Sequence, residues 1–233
     1  MTKLVVIWLA GISIAAGCLA VRPRATRAAS FDRLTVHRID IVEPDGKPRE
    51  IVSNANAYPE AIVRGKEYPH PGRVRLGGVL FFNDDGSEAG GWGYANMIEN
   101  GHRVAGAILT MDQYDQDETL ALAYNEQDGA REAGLTVFGD HSSVPIEAIV
   151  AANAAVVAAK TDAERATAKA KLDKLVADDT PAAKRVFVGR GGDVAAVLLM
   201  DRAGVPRLMM QVDGTGEPTL QFLDAEGKPT TTY

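Results

Sequence analysis

From Phe31 onward, apolar and polar positions alternate in short runs. Leu208, Met210 and Val212 fall on one side of a strand, with Arg207, Met209 and Gln211 on the other. Leu220 and Phe222 continue the alternation, and Leu120, Leu122 and Tyr124 repeat it earlier. Val194 to Met200 is apolar at both parities, which predicts a central strand buried on both faces.

One turn signature separates these runs. Val42-Glu43-Pro44-Asp45-Gly46, Phe82-Asn83-Asp84-Asp85-Gly86, Met200-Asp201-Arg202-Ala203-Gly204, Val212-Asp213-Gly214-Thr215-Gly216 and Leu223-Asp224-Ala225-Glu226-Gly227 share a plan. An apolar residue precedes an acid or amide, two free positions follow, and Gly closes. The side-chain oxygen can accept from turn N–H groups and Gly takes the left-handed position, the chemistry of a hairpin with a bulge. Gly189-Arg190-Gly191-Gly192-Asp193 lies between two strand patterns and reads as a further hairpin turn, not a nucleotide loop. The fold class expected is mainly β: roughly ten strands in an antiparallel meander, forming a barrel or a sandwich.

The helical period interrupts the strands once. Ile146 to Val176 is Ala-rich, with Ile146, Ile149, Val150 and Val157, then Leu172, Leu175 and Val176, at helical spacing. Pro145 suits the first turn, and Asp179-Thr180-Pro181 ends the run. Thr161-Asp162-Ala163-Glu164 is a capping box, so the insert at about 145–178 predicts two helices meeting near Lys160. Its expected place is across one end of the sheet; the alternative is an arm for an envelope protein partner.

The first thirty residues differ from everything after them. Met1-Thr2-Lys3 is a positive start, and Leu4 to Val21 carries no charge. That run nearly spans a hydrocarbon core as a helix, and it has the look of an export signal. Three fates follow: cleavage near Ala28-Ala29-Ser30, lipidation at Cys18 after a loose lipobox, or retention as a transmembrane helix. Arg22, Arg24 and Arg27 resist translocation, which favours the retained anchor, with lipidation second. The organisation expected is a signal or anchor segment at 1–30 and a single domain at 31–233, anchored to a membrane on its extracytoplasmic side.

Composition sharpens this picture. The leader holds four of the 25 basic residues and no acid, leaving 21 basic against 31 acidic residues and a balance of −10 for the rest. Such a field repels phosphate backbones, so nucleic acid is not an expected partner. Cys18 is the only cysteine, so the domain has no disulfide and no thiolate chemistry. No cofactor motif is present, and G-x-S-x-G, H-E-x-x-H and the P-loop are all missing. His37, His70, His102 and His141 are scattered without ligand spacing.

Two stretches can carry chemistry. Asp112, Asp115, Asp117 and Glu118 form the densest acid cluster, a set of oxygen ligands suited to a hard cation. The EF-hand pattern fails there, so a solvated connection is expected and no metal is assigned. Glu88-Ala89-Gly90-Gly91-Trp92-Gly93-Tyr94 surrounds two aromatics with glycine. Either the strand bends to expose Trp92 as a ligand platform, or Trp92 and Tyr94 fill the core, the ordinary fate of aromatics. Glu88, Trp92, Tyr94 and Asp112 are the candidate ligand-binding residues.

The opening at Phe31 to Val36, Ile39 to Gly46, Arg49, Ile51 to Asn54 and Arg64-Gly65-Lys66 resembles a family of uncharacterised bacterial exported proteins and lipoproteins. The resemblance continues at Gly77 to Gly91 (an apolar run, then F-N-x-x-G-x-E-x-G-G), at Asp112-Gln113-Tyr114-x-x-Asp117, Gly134-Leu135, Arg185 to Arg190 and Leu198 to Gly227. The chain departs from the pattern at Ala89, where some members carry cysteine, and at Asp140-His141, where a D-R-P-D-like run is usual. The resemblance implies export and one domain, and brings no activity. The function expected is that of a cell-envelope module binding a small ligand or a protein. The alternative is a hydrolase or lyase working through carboxylates such as Glu88 and Asp112.

Overall fold

Each copy of the turn signature closes a bend between neighbouring strands. In the first, the Gly46 N–H donates to the Glu43 carbonyl at 2.8 Å and Gly46 sits at φ 89°. Asn83 with Gly86, Asp201 with Gly204, Asp213 with Gly216 and Asp224 with Gly227 repeat it. The aspartates cap their own turns: Asp224 Oδ1 accepts from the N–H groups of Glu226 at 3.0 Å and Lys228 at 2.8 Å.

The structure, a computed structural model, describes residues 28–233 apart from 71–72, 74, 142–143 and 179–181. Its strands are β1 (Arg38–Val42), β2 (Pro48–Ser53), β3 (Ala61–Val63), β4 (Lys66–Tyr68), β5 (Gly77–Phe82), β6 (Glu88–Glu99) and β7 (His102–Asp112). After them come β8 (Glu118–Gln127), β9 (Ala130–Phe138) and two helices, α1 (Ile146–Ala158) and α2 (Asp162–Asp178). The chain returns to strand with β10 (Lys184–Gly191), β11 (Val194–Met200), β12 (Pro206–Val212), β13 (Pro218–Leu223) and β14 (Pro229–Thr232).

All strands but β3 and β4 form one 12-stranded antiparallel sheet whose order follows the chain. The mainly β meander with a helical insert is therefore the fold. The sheet does not close into a barrel, because β1 and β14 each have a single neighbour. At one end of the strands the bends are tight: Asn100-Gly101 joins β6 to β7 and Asp128-Gly129 joins β8 to β9, all four residues at positive φ. Gly192-Asp193 joins β10 to β11, the hairpin turn expected there.

β3 and β4 pair only with each other, and they lie over one face of the sheet, here the inner face. Ile62 of β3 packs with Ile51 of β2, Leu80 and Phe82 of β5, and Tyr58. On its other side the hairpin offers Ala61, Val63 and Tyr68 to Ile146, Val150, Ala151 and Ala154 of α1. The helical insert thus covers the hairpin, and the hairpin covers the first strands. The capping box forms as its sequence predicts: the Glu164 N–H donates to Thr161 Oγ1 at 3.2 Å and Glu164 Oε2 accepts from the Thr161 N–H at 3.1 Å.

Two expectations are corrected. β11 is central in strand order but not buried, since every one of its residues is at least partly exposed. Apolar residues at both parities marked a strand with two apolar faces; among the described residues no helix or further strand packs over either. The transmembrane helix is the second. Among the described residues no helix is long and apolar enough to cross a membrane. α1 has 13 residues, about 20 Å against a hydrocarbon core of about 30 Å, and α2 is charged throughout. The run from Leu4 to Val21, Cys18 included, lies outside the described residues.

Candidate functional site

A bulge decides which residues share a site. Between β5 and β6 the register shifts, so that Phe81 faces Gly90 while Phe82 faces Glu88. Ala89 is the extra residue. A one-residue slip sends following side chains to the opposite face. Glu88 therefore belongs to the inner face, and Trp92 and Tyr94 to the outer one. Asp112, at the end of β7, joins Glu88 on the inner face, where both line the same pair of adjoining cavities.

These cavities, of about 110 and 290 Å³, lie between the hairpin, the β7–β8 bend and the sheet. Glu88 is held fast. Its Oε1 accepts from the Ile62 N–H at 2.6 Å and from Arg73 Nη1 at 2.8 Å, and Arg73 Nη2 pairs with Oε2. Both side chains are 17% exposed. Arg73 also donates to the Glu60 carbonyl at 2.9 Å. A carboxylate with its acceptors so occupied is an anchor for the hairpin more than a proton carrier.

The carboxyls beside it are less committed. Burial pushes Asp112 up to about 7, helped by the charges of Asp117 and Glu88 and opposed by Arg73 and a hydrogen bond with Thr110. Glu118 also rises to about 7, first through its hydrogen bond with Asp117, then through burial and the nearby charges of Asp117 and Asp112. Burial raises the Tyr58 phenol, on the same wall, to about 12. The pocket therefore sets two protonatable carboxyls beside a fixed Arg73–Glu88 pair. Proton transfer near neutral pH is the chemistry such an arrangement can perform.

Around the rim the acid cluster is tied down. Asp115 Oδ1 accepts from Arg64 Nη2 at 2.9 Å, and Arg64 also pairs with Glu147 of α1. The Ile146 N–H donates to the Asp115 carbonyl at 3.2 Å, which locks the bend to the start of α1. Among the described residues no three His, Cys, Asp or Glu side chains are placed to hold a metal ion. His70 lines both cavities; His141 Nε2 meets the Glu118 carbonyl at 2.8 Å.

The outer face is of another kind. One row runs Val52, Val79, Trp92, Leu109, Leu122, Leu135, Val188, Val197, Met210 and Leu220 across consecutive partners. A second runs Phe81, Gly90, Met111, Leu120, Val137, Val186, Leu199, Leu208 and Phe222. None of these residues is charged; on β2 the second row ends at Glu50, the partner of Phe81. Trp92 is 49% and Tyr94 51% exposed, their rings 5.9 Å apart. Of the two alternatives for these aromatics, filling the core is the one the structure excludes. Over β10 to β13 the same face carries an apolar groove of about 660 Å³, lined by Val188, Val197, Met210, Val212, Leu220 and Tyr233 among others.

Of the four candidate residues, Glu88 and Asp112 come together, Trp92 and Tyr94 come together, and the two pairs lie on opposite faces. Sequence reading missed Arg73 and Tyr58, which reach the pocket from the segment between β2 and β5. No local spacing signals that contact. The groove was visible only as apolar alternation, which any half-buried strand shows. No family model, curated protein or solved structure matches the chain.

Proposed function

We propose that the chain is an extracytoplasmic binding module that docks an apolar surface on the outer face of its sheet. The observation behind this is the pair of uncharged apolar rows, with side chains from Phe81 to Phe222 standing partly exposed. With strands about 4.8 Å apart and same-face rows about 7 Å apart, the two-row strip measures roughly 45 Å by 14 Å, about 600 Å². The largest apolar patch of an ordinary monomer is about 300–600 Å², and such patches are commonly functional. α2, which has no buried residue, offers a protein partner a second contact.

The test is a solvatochromic dye. Nile red added to dilute protein should brighten saturably, and Val197→Asp with Met210→Asp should abolish the signal while the far-UV spectrum stays unchanged. Brightening that persists in the double variant places the binding elsewhere and ends this reading.

The raised pKa values of Asp112 and Glu118 in the inner pocket favour a second reading, a carboxylate-dependent hydrolase or lyase. Asp112, not Glu88, would then carry the proton. Turnover of model esters or glycosides should vanish in Asp112→Asn and survive Trp92→Ala; the reverse pattern rejects it.

A further inference from the structure

The occupant of the outer face follows from its own layout. Trp92 on β6 and Val197 on β11 stand in one register row, and Tyr94 and Ala195 stand in the next. β6 carries the protruding rings, and β11 lies in the floor of the groove. A two-fold axis parallel to the strands, between β8 and β9, sets β6 of one copy against β11 of the other without shifting the rows. Trp92 then meets Val197, and Tyr94 meets the small Ala195. A knob and a groove on one face, equidistant from such an axis, make that face complementary to itself.

Resting on the outer face as the docking surface, we propose that its occupant is a second copy of this chain, stacked sheet on sheet. The strip of about 600 Å² per copy reaches the low end of the roughly 600–1,000 Å² per partner that stable complexes bury. Aligned sheets pack about 10 Å apart, the spacing at which rings from one enter gaps of the other. The Trp92–Val197 row carries no acid, and the charge in the Tyr94–Ala195 row is Arg190, whose Nη1 donates to the Gly192 carbonyl of the β10–β11 turn at 2.9 Å, so no like-charged acids face each other along these rows. At the rim Arg131 pairs with Glu126 at 3.0 Å.

A short bis-maleimide cross-linker tests the register. In full-length protein carrying Cys18→Ser, one preparation receives Trp92→Cys and another Val197→Cys, and the two are mixed with the reagent. β6 and β11 are five strands apart, about 24 Å along the sheet and beyond its reach, whereas facing sheets stand only about 10 Å apart. A 92–197 bridge can therefore form only between copies. The expected result is a cross-linked dimer containing one chain of each kind, with wild type sedimenting as a dimer and Trp92→Ala weakening association at least tenfold. Raising the wild-type concentration should also expel Nile red. A dye-binding monomer that gives no bridge overturns the second copy and keeps the docking surface, leaving an apolar ligand as occupant. A monomer that neither bridges nor binds dye overturns both.

Discussion

The two ends of this sheet are built from similar strands and end differently. From β2 to β6 the inner face is covered twice, by the β3–β4 hairpin and then by α1, and Ile51, Leu80 and Phe82 are buried. From β10 to β13 alternation is as regular and the residues as apolar, yet among those strands only Leu223 is buried. The contrast recurs at the glycines. Beside Gly93 the space for a Cβ is taken by the Leu76 side chain, from the segment leading out of the hairpin. Beside Gly134 it is taken by Phe187, a neighbour in the same sheet lying across its own surface. One end has an imported cover; the other covers itself with a ring. Alternation tells which side chains share a face, and nothing about whether a second layer exists to meet them.

Truncation should separate the two ends most clearly. Ile51 is 2% exposed, and Ile51→Ala should cost about 3 kcal/mol through lost burial and the cavity left behind. Leu199→Ala, at a side chain 42% exposed, should cost about 1 kcal/mol in dilute protein. Urea denaturation of both variants measures this. Equal losses would mean that the outer face is covered even when the protein is dilute.

The covered end should also carry the pH dependence. Asp112 and Glu118 have folded-state values raised to about 7 from ordinary values of 3.8 and 4.5. The folded state therefore binds more protons than the unfolded one between about pH 4 and 7, and stability falls as pH rises through that window. The loss runs through the folded-state values and is complete by about pH 8. Asp201 and Asp213, lowered by turn hydrogen bonds at the bare end, act in the opposite sense and lose their contribution only on acidification below their ordinary values. Thermal melts from pH 5 to 8 should show a falling midpoint that Asp112→Asn flattens. A midpoint that rises over this range contradicts the buried carboxyls.

What the sequence disclosed divides along the same line. Hairpin bends were legible because an acid or amide and a Gly three residues on satisfy a turn by local chemistry alone. The two helices were legible because Thr161 and Glu164 cap each other across one turn. The pocket was half legible: Glu88 and Asp112 stood out as acids in unusual stretches. Their separation from Trp92 and Tyr94 depends on one bulged residue, Ala89, whose effect is set by pairing with β5. Arg73 and the crossing hairpin depend on contacts between distant segments and leave no local mark.

A smaller comparison tests the glycines. A Cβ on Gly189 would stand 2.3 Å from the Ala133 carbonyl oxygen and 2.6 Å from the Gly134 Cα, both fixed backbone. On Gly93 it would meet the Leu76 Cδ1 at 3.0 Å, the end of a movable side chain. Gly189→Ala should therefore cost about 1–2 kcal/mol and Gly93→Ala less. Denaturation midpoints rank them, and the opposite order would mean that Leu76 is held as rigidly as backbone.

The smallest effect is expected where the fold has least to lose. Thr161→Ala removes one half of the capping box and should cost α2 about 1 kcal/mol. None of the residues of α2 is buried, so its melting need not disturb the sheet. Amide exchange along α2 should accelerate about fivefold, while the unfolding midpoint of the whole protein stays within about 1 °C. A midpoint lower by several degrees would show that α2 is coupled to the hairpin through α1. The insert would then be part of what holds the covered end together.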